Sequence, residues 1–340
     1  MLAGFLFLLL LIGGESFERN CSYVEVLEHL NLTKNKDLFF MTRPVKNYMQ
    51  PTEVYVDVLL FAILDVREKN QQLVTYIWID MWWKSEPVSW DPNEFCGIEK
   101  FSLPAEVLWK PDITILEMTE KDKNPPISYL ILHNSSYIEL TNNHVVVSAC
   151  RMRVFKFPFD IQSCNLSFKS VIHSDKEIHL VEYLNSSMIT DLSRKLMRTQ
   201  YEWLFMDITV SHTTVQNFDF NQSVLVYIIN MKRRSALYVV NLMLPVLFFL
   251  CLDLASFLMS DSGGEKLGFK VTVLLAVTVM QLILNDILPF SSDRIPLIAI
   301  YCIGSFGLMM LSLLETILVM HLISKDSQDN EPLEDQSLSE

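Results

Sequence analysis

Cys150-RMRVFKFPFDIQS-Cys164 sets two cysteines around thirteen residues, with Phe157-Pro158-Phe159-Asp160 near the middle. Proline fixes one backbone angle and an aspartate readily bonds its own backbone, so these four residues predict a tight turn that displays two rings and a carboxylate. In an oxidising compartment the two thiols can close the loop, a link worth about 3 kcal/mol by chain entropy. In a reducing compartment they stay free. The compartment therefore decides what the stretch is.

Leu2 to Ile12 is an apolar run followed by small and polar residues, which predicts a secretory signal peptide over residues 1–16, although the usual positive start is missing. The run is about half the length that spans a bilayer. Asn-x-Ser/Thr acceptors stand at Asn20, Asn31, Asn134, Asn165, Asn185 and Asn221, all before the first long apolar segment. Their confinement to one side assigns residues 17–235 to the lumen and then to the outside of the cell, where disulfides form. Cys21 and Cys96 also fall there and their pairing stays open; Cys251 and Cys302 lie in apolar spans and are expected to be buried thiols.

With 340 residues and half of them hydrophobic, the chain is long enough for about two domains. A net charge of −13 argues against a nucleic-acid partner. Between residues 50 and 230, β-branched and aromatic residues alternate: Val54, Val56, Val58 and Leu60; Val74, Tyr76 and Trp78; Val145 to Val147; Val224, Val226 and Ile228. Turn formers punctuate them at Ser85 to Asn93, Asn124 to Pro126 and Asn134 to Ser136. This pattern predicts an all-β, antiparallel, immunoglobulin-like sandwich, preceded by a helix around Tyr23 to Leu30. His133, His144, His173 and His179 are expected to be solvated: His173 and His179 would share a strand face but stand about 20 Å apart, too far for one metal.

The second half predicts an α-helical membrane bundle with spans at 236–259, 267–288 and 295–323, and an acidic cytoplasmic tail at 324–340. Pro245 and Asp253 interrupt the first span. The second, Glu265–Leu288 (EKLGFKVTVLLAVTVMQLILNDIL), is not uniformly apolar. Helical steps place Gly268, Thr272, Leu275, Val279, Ile283 and Asp286 on one face, with Glu265 at the start. Ionisable groups at membrane depth usually face a water-filled path or a bundle interior, and carboxylate rings select cations. The plainer alternative is a buried span whose end charges mark the two interfaces. Lys232-Arg233-Arg234 precedes the first span on the outer side, against the positive-inside tendency; the six acceptor asparagines outweigh it, since long domains translocate largely regardless of charge.

The Phe-Pro-Phe-Asp loop between cysteines thirteen residues apart resembles the signature of the Cys-loop receptors, the pentameric ligand-gated ion channels. Other stretches resemble the same family, most closely its type-3 serotonin receptor branch: YIW at Tyr76–Trp78, SW-DPNEF at Ser89–Phe95, WKPDI at Trp109–Ile113, and GEKLGFKVT at Gly264–Thr272. The resemblance covers about residues 35 to 325. It implies a Cys150–Cys164 disulfide and a principal binding face containing Trp109, Glu117, Val171, Phe218 and Phe220. It further implies a complementary face containing Trp78 and Asp80. Glu265 would form the inner selectivity ring, Leu275 the gate and Asp286 an outer ring. Phe157, Pro158, Phe159, Asp160, Arg234 and Pro296 would couple the sandwich to the pore, the loop tip pressing on Pro296.

The implied partners are homologous subunits in a homo- or hetero-pentamer, a small amine neurotransmitter, permeant monovalent cations and the lipid bilayer. The implied place is the plasma membrane, at the postsynaptic side, with the amino-terminal domain extracellular. Two departures bear on function. Val171 stands where the family carries a tryptophan, and a valine offers no ring face to an ammonium. The family also carries a fourth span, whereas this sequence closes on the polar, acidic Ser324–Glu340. An accessory or truncated, dominant-negative subunit is therefore the alternative, and a non-conducting adhesion glycoprotein is the alternative of another class. No nucleophile–base motif, metal cluster or phosphate loop points to an enzyme or to a cofactor.

Overall fold

Val54, Val56, Val58 and Leu60 recur at the strand period, and they build the inner side of β1 (Thr52–Arg67). Across the hairpin, β2 (Gln72–Lys84) answers with Trp83, Ile79 and Ile77 opposite Val54, Val58 and Leu60. The computed structural model describes residues 21–329 apart from 33, 35, 121–128, 199–201, 218–219, 260–264 and 289–293. The expected signal peptide, Asn20, Phe218 and most of the expected tail lie outside the described residues.

The remaining strands are β3 (Lys100–Pro104), β4 (Ile113–Ile115), β5 (Tyr129–His133), β6 (Tyr137–Ala149), β7 (Ile161–Ser170), β8 (Ile178–Val181), β9 (Trp203–Asn217) and β10 (Phe220–Arg233). They form a six-stranded sheet in the order β3-β5-β6-β2-β1-β8 and a four-stranded sheet in the order β4-β7-β10-β9. Between the sheets Trp83, Leu132, Phe168 and Tyr227 are fully buried, each such side chain contributing roughly 1.5–3 kcal/mol. Tyr227 stands edge-on to Phe168 at 5.7 Å, and its hydroxyl donates to the Val56 carbonyl, so a polar bond crosses the apolar layer.

The expectation of a wholly antiparallel sandwich needs one correction. β8 runs parallel to the start of β1, from Thr52 opposite Ile178 to Tyr55 opposite Val181. It is the edge strand of its sheet, and its Leu180 amide also donates to the Ser223 hydroxyl of β10 in the other sheet at 3.1 Å.

Helix α1 (Tyr23–His29) starts where Ser22 accepts from the Val24 amide, and α2 (Lys36–Met41) follows. Cys21 pairs with Cys96, which settles the pairing the sequence left open, and Cys150 pairs with Cys164. The turn after Cys96 passes through Gly97 at φ +81°, a conformation that suits a residue without Cβ. Helix α3 (Ser186–Leu196) is capped by Asn185, which accepts from Met188 N at 2.9 Å. It is pinned to the sandwich by Ser193 Oγ, which accepts from Leu60 N, and by Thr190 Oγ1, which accepts from Ile208 N, both at 3.0 Å.

Among the described residues, three helices are long and apolar enough to cross a membrane: α4 (Ala236–Leu258), α5 (Glu265–Ile287) and α6 (Leu297–Asp329). Pro245 cannot donate to the preceding turn of α4, and the helix widens into a π-turn over Val239–Met243 just ahead of it. Tyr301 of α6 donates its hydroxyl to the Met243 carbonyl at 3.0 Å, which occupies an acceptor at the distorted stretch. Cys302 is buried as expected, but Cys251 is exposed.

Candidate functional site

Residues Tyr227, Ile229, Met231 and Arg233 share the buried side of β10, so the strand's period carries Arg233 inward where the sheet ends. Its side chain is fully buried, at 0 % exposure. Nε donates to Asp160 Oδ1 at 2.9 Å, and Nη1 lies 2.7 Å from both Glu68 Oε1 and Glu202 Oε1. The guanidinium also sits over the rings of Trp203 at 4.2 Å, Phe157 at 4.7 Å and Tyr238 at 5.4 Å. Burial pulls its pKa down, but the hydrogen bond and charge of Asp160, with the charge of Glu68, more than reverse this and hold it above the ordinary arginine value.

Four segments therefore meet at one cation: the β1–β2 turn through Glu68, the disulfide loop through Phe157 and Asp160, the entry to β9 through Glu202, and α4 through Tyr238. This corrects the sequence expectation. Arg234 is exposed and Arg233 occupies the junction, because strand parity turns the earlier residue inward. The turn also differs from its forecast. Phe157 and Asp160 are buried against Arg233, Phe159 alone stands out at 56 % exposure, and the carboxylate that was to press on Pro296 is engaged with the arginine. The Phe157–Pro158 bond is cis.

Helix α5 has two unlike faces. Lys266, Lys270, Val273, Val277 and Leu284 are buried against the bundle. Glu265, Gly268, Thr272, Leu275, Val279, Ile283 and Asp286 are all exposed, Leu275 at 64 %. Thr272 donates its hydroxyl to Gly268 O at 2.8 Å, which commits its proton and leaves oxygen lone pairs for an ion. At the outer end Asp286 Oδ1 lies 3.7 Å from Lys69 Nζ of the β1–β2 turn. On the buried face Lys270 Nζ donates to Ser312 O at 3.1 Å and to its hydroxyl, lies 4.0 Å from Asp253, and sits over the Phe257 ring at 4.0 Å.

The residues expected at the two ligand faces lie on different sheets. Trp78 projects from the outer side of β2 and stacks on Phe61 with centroids 5.4 Å apart; its indole N–H finds no partner among the described residues. Asp80 lies two residues on, and burial raises its carboxyl pKa against the hydrogen bond from Thr141. Trp109 is buried and edge-on to Trp83, a core position. Glu117 accepts from Ser167 N at 2.7 Å and from its hydroxyl at 2.6 Å, and so anchors its own loop. Val171 is 58 % exposed at the end of β7, and Phe220 is exposed at the start of β10.

The loop that carries Val171 hangs on Asp112. One carboxylate oxygen accepts from the Val171 and Ile172 amides at 2.9 Å, and the other lies 2.8 Å from His173 Nδ1. Burial pushes the Asp112 pKa up, yet the bonds from Ile172, Ser170 and His173 outweigh it and hold the group below its ordinary value. His173 is thus half-buried and engaged rather than solvated, and His133 pairs with Glu139 at 3.1 Å.

Residues 30–235 match the family model of the neurotransmitter-gated ion-channel ligand binding domain, and residues 242–338 match that of the neurotransmitter-gated ion-channel transmembrane region. The chain belongs to the neurotransmitter-gated ion-channel family. Among similar proteins, 5-hydroxytryptamine receptor 3A of Rattus norvegicus is 33 % identical over 83 % of this chain and 59 % of its own length. 5-Hydroxytryptamine receptor 3E of Homo sapiens is 34 % identical over 94 % of this chain and 70 % of its own. Neuronal acetylcholine receptor subunit alpha-9 of Homo sapiens is 29 % identical over 82 % and 58 %. The chain thus spans about three fifths of the receptor 3A sequences it matches.

In this member of the neurotransmitter-gated ion-channel family, sequence reasoning missed Glu68, Glu202, Tyr238 and Lys270. Counting period two back from the end of β10 finds Arg233, and counting 3.6 along α5 puts Lys270 opposite Leu275. No local signal marks Glu68 or Glu202, because their role exists only where distant segments meet.

Proposed function

We propose that this chain is a subunit of a pentameric, cation-selective, neurotransmitter-gated channel of the plasma membrane. Its sandwich, residues 17–235, lies outside the cell, and its acidic segment, residues 324–340, lies inside. The observation that carries the reading is the division of α5: the whole stripe from Glu265 to Asp286 is exposed while the opposite face is packed. Copies arranged around an axis would turn that stripe to a common path, with carboxylates about 31 Å apart at its two mouths, 21 residues at 1.5 Å each. The Leu275 side chains would close the path by dewetting, and the Glu265 and Asp286 rings would favour monovalent cations.

A small amine would bind between copies, with Trp78 and Asp80 of one facing the Val171 loop and Phe220 of the next, since one chain holds these residues on separate sheets. Movement of the sandwich would reach α4 through Arg233, whose partners come from both sides of the junction. Asn31, Asn165 and Asn221 are exposed and serve as glycan acceptors in this reading, together with Asn20, Asn134 and Asn185. Val171, exposed and without a ring, favours a second reading as an accessory subunit that joins complete partners and lacks a full principal face.

The test is whole-cell current and reversal potential from cells that express the chain alone and with a complete serotonin-type subunit, with surface expression monitored. Glu265→Ala is expected to weaken cation preference in whichever assembly conducts. Conductance and selectivity unchanged in every assembly by both Glu265→Ala and Asp286→Ala would sink the channel reading. Silence alone with altered amplitude in the mixture would select the accessory role.

A further inference from the structure

Four residues beyond Trp78, about 13 Å along β2, Trp82 projects from the same strand face. Tyr183 stacks on it with ring centroids 5.9 Å apart and planes 11° from parallel, and Tyr55 stands edge-on to Tyr183 at 6.3 Å. His133 lies parallel to Trp82 at 6.3 Å. With Ser135 and Tyr137 these rings line a cavity of about 270 Å³. The rings are wet: Tyr183 is 69 % and Tyr137 38 % exposed, so core packing does not account for their gathering.

A second cavity of about 330 Å³ shares Tyr55 and Tyr137 and adds Glu53, Glu86 and Lys84. Its lining sets two carboxylates against one lysine, with Arg43 bonded to the Gln50 carbonyl at its edge. Tyr55 donates its hydroxyl to Glu53 Oε2 at 2.9 Å, a bond to a carboxylate that raises the phenol pKa and enriches the ring in electrons. Glu86 Oε2 accepts from Lys46 N at 2.6 Å, which fixes the second carboxylate in place.

We infer that the Tyr55–Trp82–Tyr183 cluster is a binding site for a small methylated ammonium ion, separate from the Trp78 face. Ring faces attract a cation by about 0.5–2 kcal/mol each and repel an anion. Glu53 and Glu86 add long-range attraction without occupying the ring faces. A methylated ammonium is weakly hydrated compared with a primary one, so rings compete well with water for it. At about 270 Å³ the cavity falls just below the range of drug-sized ligand sites, roughly 300–1,000 Å³, which fits a small ion rather than a larger ligand. The inference does not rest on channel activity, because binding is read without gating.

The experiment is isothermal titration of the purified full chain in detergent micelles with tetramethylammonium chloride, with sodium chloride as the ionic-strength control. Saturable binding is expected. Loss of one good ring corresponds to about tenfold weaker binding, so Trp82→Leu and Tyr183→Leu should each show about that loss, while Tyr129→Leu, at an exposed ring that does not line the cavity, stays within about twofold. Trp82→Phe keeps a ring and should retain most of the affinity; Glu53→Gln should weaken binding about threefold. Tyr183→Leu alters only an exposed side chain, so it decides the matter even where Trp82→Leu fails to fold. Absence of saturable heat, equal binding of choline and its neutral tert-butyl isostere, or a loss in Tyr129→Leu equal to that in Tyr183→Leu would overturn the assignment.

Discussion

Replacing Arg233 by methionine keeps most of its volume and stem and removes its charge. Three carboxylates then remain where one cation stood: Asp160 at 1 % side-chain exposure, Glu68 at 12 % and Glu202 at 44 %. Removing one partner of a buried pair costs about 3–5 kcal/mol because the other charge stays desolvated. Glu202 can turn to water and adds little. Asp160 cannot, since Gln162 and the arginine enclose it. A loss of about 4 kcal/mol is therefore expected, which lowers Tm by roughly 8–16 °C for a unit of this size. Arg234→Met, at an exposed site, should stay within about 0.5 kcal/mol.

The assay is thermal unfolding of the full chain in detergent, followed by fluorescence-detected size exclusion. Asp160→Asn and the double variant complete a cycle whose coupling should exceed about 1.5 kcal/mol, because each single change strands the other's charge. Equal Tm for Arg233→Met and wild type, equal losses at 233 and 234, or strict additivity with Asp160→Asn would refute the reasoning.

Tyr227→Phe should lower stability by about 1 kcal/mol, read by the same thermal assay, because it leaves the Val56 carbonyl without its cross-sheet donor. Cys21→Ser should cost up to about 4.5 kcal/mol by chain entropy, since the bond spans 75 residues, and limited proteolysis of α1 should become faster. The Asp112 carboxyl is held below its unfolded value, so its contribution is present above about pH 3.9 and fades as pH falls through the folded value. Amide exchange at Val171 and Ile172 should accelerate, relative to reference amides elsewhere, over that acid window; in Asp112→Asn the acid-dependent change should vanish.

The sandwich was legible because its signal is local. Val54 to Leu60 show period two without reference to any other segment, and the helix at Tyr23–His29 and the three apolar spans follow from equally short patterns. The stripe on α5 was legible for the same reason, since 3.6 residues per turn is a property of one helix. What stayed hidden depended on meeting partners. The sequence could not say that β8 would lie parallel to β1, because that pairing joins segments more than a hundred residues apart. Nor could it distinguish Arg233 from Arg234 by composition; only the parity of the whole strand separates them. Glu117 is expected at a ligand face, and its bonds to Ser167 were not legible, because the sheet brings that residue to it.

The two faces of α5 divide the labour of evolution. Lys266, Lys270, Val273, Val277 and Leu284 are pinned by what they touch, so most changes there alter the protomer itself. Gly268, Thr272, Leu275, Val279 and Ile283 lie on the exposed side, where the Thr272 hydroxyl bonds to its own helix. Substitutions on that side leave the contacts of the buried face in place. In the proposed channel, such a helix would let the exposed side vary while the packed side keeps the architecture of the bundle.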